Sequence, residues 1–455
     1  MLALEFGPML PNFASFPTVD TCPPGTLAFP GALLRPWPQW SLWIFFALLA
    51  AAPASTKIAG AAWLFIVLMG LWAALRIPAE CSWSQPLVQS SRYWLLVCSV
   101  AMVMQAVATL YWGESLGERH VEIRLLLAAG ASLVLARRLR LLAQQKIWLT
   151  HSLALACCAA LAITFLNGRM TPSNPIPWAA GVSLLVCVLI PLVTQPSIAH
   201  WQRAVWGLAV LAGMGGVLLS LSRGSYGLVI WVVGVAVVAA AKSILQHRSD
   251  RKSGRSKSHV TTRWLAGMAV LFSLAVALLI SFPQNYQVAA GRVQLAWSEA
   301  EMASKSDMSK QEAFNTSVGV RFYMWHMGLK EIVSAPLLGH GSKERKAWLE
   351  RLSETSNLEA IKGLAHLHSD PITTWFDHGL LGLSSYLALS FGLAWLALRR
   401  KLCNPSQRLA LLGILWMHIS SGLTNMNFGH NYYGVMLSLS LSLTWILASG
   451  EPSKK

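Results

Sequence analysis

HLHSDPITTWFDHGLLG, residues 366–382, runs from a polar cluster straight into an apolar helix and carries three His, two Asp and two Thr. A long polar segment precedes it and a membrane-length apolar run follows, so its head belongs where water meets bilayer. Ionisable groups at that boundary are costly, and they usually mark a function.

The rest of the chain agrees with a membrane setting. Of 455 residues, 55% are hydrophobic and only 12% charged, and the mean hydropathy is +0.49. A soluble domain carries about 25% charged residues, so the composition specifies an all-α polytopic membrane protein. Twenty-one Trp fit aromatic belts at two interfaces. The net charge of +17 does not point to nucleic acid, because most Lys and Arg fall in short loops between apolar runs. That placement reads as a topology signal and as attraction to membrane lipids or phosphate. The seven Cys form no CxxC and no paired framework, which leaves neither a disulfide scaffold nor a metal site. Met1–Trp37 is Pro-rich and lacks a basic n-region, so no cleavable signal peptide is expected.

Apolar runs of about 17–25 residues predict twelve spans. They lie near 39–54, 57–76, 93–112, 122–142, 147–166, 176–195, 203–221, 225–245, 264–282, 372–398, 407–424 and 431–449. Pro53 and the bend at Ser55–Lys57 make the first two a hairpin. Three organisational units follow: spans one to nine over 1–282, a large helical periplasmic loop over 283–371, and spans ten to twelve over 372–455. Alternate loops concentrate cations, at Arg137, Arg138, Arg140 and Lys146, along 246–263, and at Arg399, Arg400, Lys401 and Arg408. Lys454 and Lys455 share that side, so both termini are expected in the cytoplasm. The 221–225 turn and the 283–371 loop then share the opposite face. Within that loop, Ala289–Glu301 and Arg321–Val333 show helical apolar spacing, while Ala303–Thr316 is polar and reads as mobile. With little core of its own, the loop is expected to lean on the bundle as a cap.

Three basic groups gather on that outer face. Arg223 lies in SLSRGSYG, where flanking Ser and Gly bring backbone close to an anion. Arg321 lies in VGVRFYMW, at a helix start whose dipole favours an anion. His368 opens the tenth span. Two guanidinium forks match phosphate oxygens, and an imidazole with an ordinary pKa near 6.5 takes a proton from a hydroxyl. Taken singly, Arg223 also fits a headgroup snorkeler, Arg321 a solvated residue, and His368 a satisfied interfacial histidine. His366 either orients substrate or is structural. His378 lies about 15 Å further along the helix axis and is a weaker candidate. Asp370 and Asp377 share a helical face but lack a third metal ligand, and Asp370-Pro371 reads as an N-cap followed by Pro at N1.

These segments carry a resemblance. His368-Ser369, nine residues, Gly379, two residues and Gly382 is similar to the H-[N/S/Q]-x9-GxxG pattern of bacterial O-antigen ligases, within the O-antigen ligase/polymerase superfamily. RFYMWHMGLKEIVSAPLLGHG (Arg321–Gly341), SRG (Ser222–Gly224) and NPIPWA (Asn174–Ala179) resemble further segments of the same superfamily, in the same order. Ser369 stands where Asn is common, and the basic 246–263 loop is longer than usual.

The resemblance implies a transferase of the bacterial inner membrane. It moves a glycan from an undecaprenyl-diphosphate donor to a sugar hydroxyl of a lipid A–core acceptor, on the periplasmic side. The transfer uses no metal or other cofactor and inverts the anomeric centre. By position, Arg223 and Arg321 hold the diphosphate and His368 is the base, with Ser369 and His366 beside the substrate. An O-antigen polymerase and a protein O-oligosaccharyltransferase are the nearest rivals. A lipid-linked glycan transporter is further off, because no internal repeat is visible and the charges gather at one face.

Overall fold

The computed structural model describes residues 35–78, 85–168, 170–195, 198–252, 283–305, 314–356 and 358–449. The architecture is all-helical. The first six long helices are α1 (Gln39–Ala51), α2 (Thr56–Arg76), α3 (Pro86–Tyr111), α4 (His120–Arg138), α5 (Ala143–Asn167) and α6 (Pro175–Val193). They are followed by α7 (His200–Leu219), α8 (Gly227–Lys252), α9 (Pro283–Lys305), α10 (Gly319–Ile332) and α11 (Ser342–Ser356). The chain then closes with α12 (Asp370–Leu398), α13 (Pro405–Gly422) and α14 (Asn431–Ala448). Arg35–Pro36 and Leu139–Arg140 add one two-residue parallel pairing.

Among the described residues, seven helices are long and apolar enough to cross a membrane: α2, α3, α5, α6, α7, the Arg223–Lys242 stretch that leads into α8, and α12. The expected span at 122–142 is α4, shortened at Arg138 where the chain turns into the strand pairing. Glu122, Arg124, Arg137 and Arg138 keep α4 out of the apolar class. The stretches expected as spans at 39–54, 407–424 and 431–449 form α1, α13 and α14, which pack in the same bundle but are not among those seven. The span expected at 264–282 lies outside the described residues, as do most of Met1–Trp37, Lys454 and Lys455.

α6 is apolar on every side, and 89% of its window is buried, against 11% for the Arg223–Lys242 stretch. α6 therefore forms the axis of the bundle and α8 its edge. α6 starts where Pro175 occupies the first turn and the Asn174 side chain accepts the Ile176 N–H at 3.0 Å. Trp178 of α6 donates its indole N–H to the Pro53 carbonyl at 2.8 Å, which ties the α1–α2 turn to the axis. α14 is buried along its whole length. Its Ser438 and Thr444 hydroxyls are satisfied by carbonyls one turn back, which lets polar residues sit in an apolar bundle.

The segment between α8 and α12 departs from expectation in one respect. It carries a core of its own, built from Phe314, Val320, Tyr323, Met324, Ile332, Trp348, Leu349, Leu352, Leu358, Ile361 and Leu367, completed by Phe376 of α12. α11 supplies Trp348, Leu349 and Leu352 to it. The polar run expected to be mobile falls largely on 306–313, outside the described residues.

α12 is broken near its start. His378 (φ −126°, ψ 15°) and Gly379 (φ 59°, ψ −150°) leave helical geometry. The strip Pro336–Gly341 lies across the break. His340 N–H donates to the Phe376 carbonyl at 2.8 Å, Gly341 N–H to Asp377 at 2.8 Å, and Leu380 N–H to the Pro336 carbonyl at 2.9 Å. These bonds satisfy groups that the break would otherwise orphan. A Cβ on Gly379 would stand 2.2 Å from the Leu337 carbonyl carbon, and its φ lies in the left-handed region. Only glycine satisfies both demands.

Candidate active site

The loop 365–369 delivers His366 and His368 to the head of α12. His368 has φ 51°, a left-handed conformation that costs a non-glycine residue about 1–3 kcal/mol and persists only when neighbours enforce it. The neighbours are identifiable. Arg345 Nε donates to the Ala365 carbonyl at 3.0 Å, and Trp325 Nε1 donates to the Leu367 carbonyl at 2.7 Å. Leu367 is fully buried in the core of the α9–α11 segment. On the other flank, Asp370 N–H donates to the Asn425 carbonyl at 3.1 Å, and Asp370 Oδ1 accepts the Phe428 N–H at 3.0 Å.

Asp370 is thus not the N-cap expected from the sequence. Ser369 holds that position and makes no side-chain cap bond. Asp370 is the first helical residue, and it uses its carboxylate to hold the 425–428 turn. Ser369 is 1% exposed, with its hydroxyl unpartnered among the described residues.

Arg223 occupies a short 3-10 turn, Arg223–Ser225, entered through Leu221 at φ 57°. Leu221 and His368 are the two non-glycine residues with positive φ among the described residues. A Cβ on Gly224 would stand 1.9 Å from Asn425 Nδ2. The turn can therefore seat only with glycine there, pressed on the residue whose carbonyl receives Asp370. One contact chain links the Arg223 turn, Asn425, Asp370 and the His368 loop.

Arg223 Nη1 lies 3.5 Å from Glu299 Oε2 of α9. Glu299 is 5% exposed, and the same oxygen accepts the Val318 N–H at 3.0 Å, just before α10. Arg321, in the first turn of α10, shares this environment. Burial pushes its guanidinium below the usual arginine range, the Arg223 charge adds to that, and Glu299 opposes it. It stays protonated at any working pH.

The rings of His366 and His368 are 4.4 Å apart, edge to face, and those of His366 and His430 are 6.1 Å apart. Burial pushes His368 down to about 3, and the charges of His366, Arg321 and His430 push the same way. Burial, then His430 and Arg345, pushes His366 down to about 4. Both imidazoles are neutral at neutral pH. Among the described residues, no group of three or more His, Cys, Asp or Glu has the geometry to hold a metal ion.

His378 stands apart from this cluster. It is fully buried, and its Nε2 lies 3.2 Å from Glu114 Oε2. Asp377 pairs with Arg345. Sequence reasoning passed over Glu299, Arg345, Trp325 and His430. Their one local signal is a charge, an indole or an imidazole on an otherwise ordinary helix or turn.

Residues 207–387 match the model of a family described as O-antigen ligase. The likeness to that family is confined to this stretch, which is less than half of the chain. The matched region holds Arg223, Glu299, Arg321, Arg345, the His366–His368 loop and the broken head of α12. Over 134 residues the chain is also 22% identical to an uncharacterized protein of Haemophilus influenzae (strain KW20 / Rd). That match takes in 29% of this chain and about a third (32%) of the relative's length. The matched stretch is therefore similar to O-antigen ligases, and it sits in a chain with seven helices long and apolar enough to cross a membrane among the described residues.

Proposed function

We propose that the protein is an O-antigen ligase of the bacterial inner membrane. In this reading it transfers O-antigen polysaccharide from undecaprenyl diphosphate to a sugar hydroxyl of lipid A–core, on the periplasmic side. Its spans surround a site covered by the 283–371 segment. Arg223 and Arg321 hold the diphosphate, His368 is the base, and His366 and Ser369 border the substrate. The observation that carries the reading is the convergence of Arg223, Arg321 and His368. Guanidiniums from α10 and from the turn before α8 share one electrostatic environment, and Arg321 acts on His368 in turn.

The chemistry follows from these groups. The acceptor oxygen attacks the anomeric carbon and forms the new glycosidic bond. The bond to the carrier diphosphate breaks, and its electron pair leaves with the diphosphate. The acceptor proton passes to His368. The main demand is stabilisation of charge on the departing diphosphate, which two preorganised guanidiniums meet. His368 is neutral in the empty site, so it is free to take a proton. A base with so low a pKa would be weak. The bound diphosphate places negative charge beside it, and each pKa unit regained is worth about 1.4 kcal/mol. A single displacement inverts the anomeric centre.

The test is a reconstitution with purified protein and carrier-linked glycan, offered either rough lipopolysaccharide or a second carrier-linked glycan, in chelator. Sugar appearing on the lipopolysaccharide supports ligation. Chain growth on the carrier would make the protein a polymerase instead, and loss of activity in chelator would overturn the metal-free step.

A further inference from the structure

An internal carboxylate already stands beside Arg223 and within electrostatic reach of Arg321. Glu299 is almost fully buried, lies 3.5 Å from Arg223, and its charge acts on Arg321. Its hold on Arg223 is loose. The separation exceeds a charge-assisted hydrogen bond of about 2.7–2.9 Å, and Arg223 Nη1 has no hydrogen-bond partner among the described residues. The one directional bond to Glu299 Oε2 comes from the Val318 N–H.

We infer that Glu299 is a resident counter-anion that sets the affinity threshold an incoming anion must exceed: it must be displaced from the arginines before a donor phosphate group can bind. The inference rests on the reading of Arg223 and Arg321 as the diphosphate site. The charge arithmetic gives Glu299 its role. Two guanidiniums paired with one carboxylate leave one positive charge unmatched. A phosphodiester monoanion, the chemistry of every phospholipid headgroup around the site, merely exchanges one negative charge for another. A diphosphate brings a second negative charge and completes the match. With Glu299 in place, the site is not filled by headgroups, and only a multiply charged anion repays the displacement. The built-in competitor weakens every anion by the same factor, so singly charged headgroups fall below useful affinity while the preference between anions is left to the two guanidiniums.

The experiment is calorimetric titration of the full-length protein in phosphate-free maltoside micelles, with inorganic pyrophosphate and with dimethyl phosphate. Glu299→Gln and Glu299→Ala are each expected to tighten both probes by a common factor of about ten, because both displace the same carboxylate. Dimethyl phosphate thereby moves from undetectable to measurable. Weaker binding of both probes would mean that Glu299 positions Arg223, and would overturn the inference. Pyrophosphate gaining more than dimethyl phosphate would mean that the carboxylate stays beside the bound anion, and would overturn it too. Wild-type protein that ignores pyrophosphate, or binds it unchanged after Arg223→Ala/Arg321→Ala, would sink the diphosphate reading itself. Should both Glu299 variants fail to insert, hydrogen exchange on the wild type decides the matter. Pyrophosphate is expected to speed exchange of the Val318 amide as its acceptor leaves, and an unchanged rate overturns displacement.

Discussion

Arg345 of α11 and Asp377, at the break in α12, form a buried ion pair, and the same guanidinium holds the Ala365 carbonyl through its Nε at 3.0 Å. One side chain therefore joins the membrane helix to the loop that presents His368. Removing one partner leaves a buried charge unpaired, at about 3–5 kcal/mol, whereas replacing both with apolar groups costs less. Asp377→Leu and Arg345→Met are each expected to lower the melting temperature more than the two combined. Additive losses in thermal unfolding would show that the pair is not coupled.

Gly379 permits the strip Pro336–Gly341 to cross the break. Gly379→Ala adds a Cβ 2.2 Å from the Leu337 carbonyl carbon at φ 59°, so the variant is expected to lose the folded peak in detergent chromatography. Gly60→Ala on α2 is the control, because nothing lies within 4 Å of its Cβ. There the helix is expected to gain about 0.5–1 kcal/mol. Equal tolerance at the two positions would contradict the packing described for the break.

Arg223→Ala, Arg321→Ala and His368→Ala are each expected to abolish glycan transfer while the protein still inserts. The loss from removing the base should be about 10²–10⁴-fold. Arg223→Lys and Arg321→Lys should also lose activity, since a point charge cannot reproduce the guanidinium fork. Full attachment of glycan in a His368→Ala strain, read on lipopolysaccharide gels, would remove His368 from the mechanism.

The histidine cluster sets an acid limit. His366 and His368 are held at about 4 and about 3, below the ordinary histidine value of about 6.5. The unfolded loop therefore binds more protons than the folded one between those values. The stability of the native loop is complete above pH ~6.5 and falls as pH drops toward 3. Hydrogen-exchange protection across 364–369, taken relative to the intrinsic amide rate at pH 7.5, 5.5 and 4.5, is expected to fall at each acid step. A His366→Gln/His368→Gln variant should flatten that dependence, and a pH-independent wild type would contradict it.

The legible parts of this protein are those with a local signature. Apolar runs marked the helices, because each must bury or face lipid over its own length. The spacing from His368 to Gly379 and Gly382 was legible only through its resemblance to a family pattern, and the helix break that Gly379 permits was not expected. Arg223 and Arg321 stood out because glycine, serine or a helix start lay beside them. Glu299 and Arg345 carried no such mark: Glu299 meets Arg223 across 76 positions, and Arg345 meets Asp377 across 32. Asp370 was read as a cap because Asp-Pro commonly is one, and its true partners, at Asn425 and Phe428, lie two helices away. The core around Trp348 was missed because charged and polar residues dominate α11 and leave only a narrow apolar stripe.

The three backbone bonds across the break at Gly379 make α12 and the strip Pro336–Gly341 a single seam. Parting that edge would break all three bonds at once, so the head of α12 and the strip move as one piece. The glycine that interrupts the helix thereby ties the membrane bundle to the segment before it, and what looks like a weak point in α12 is a fastening.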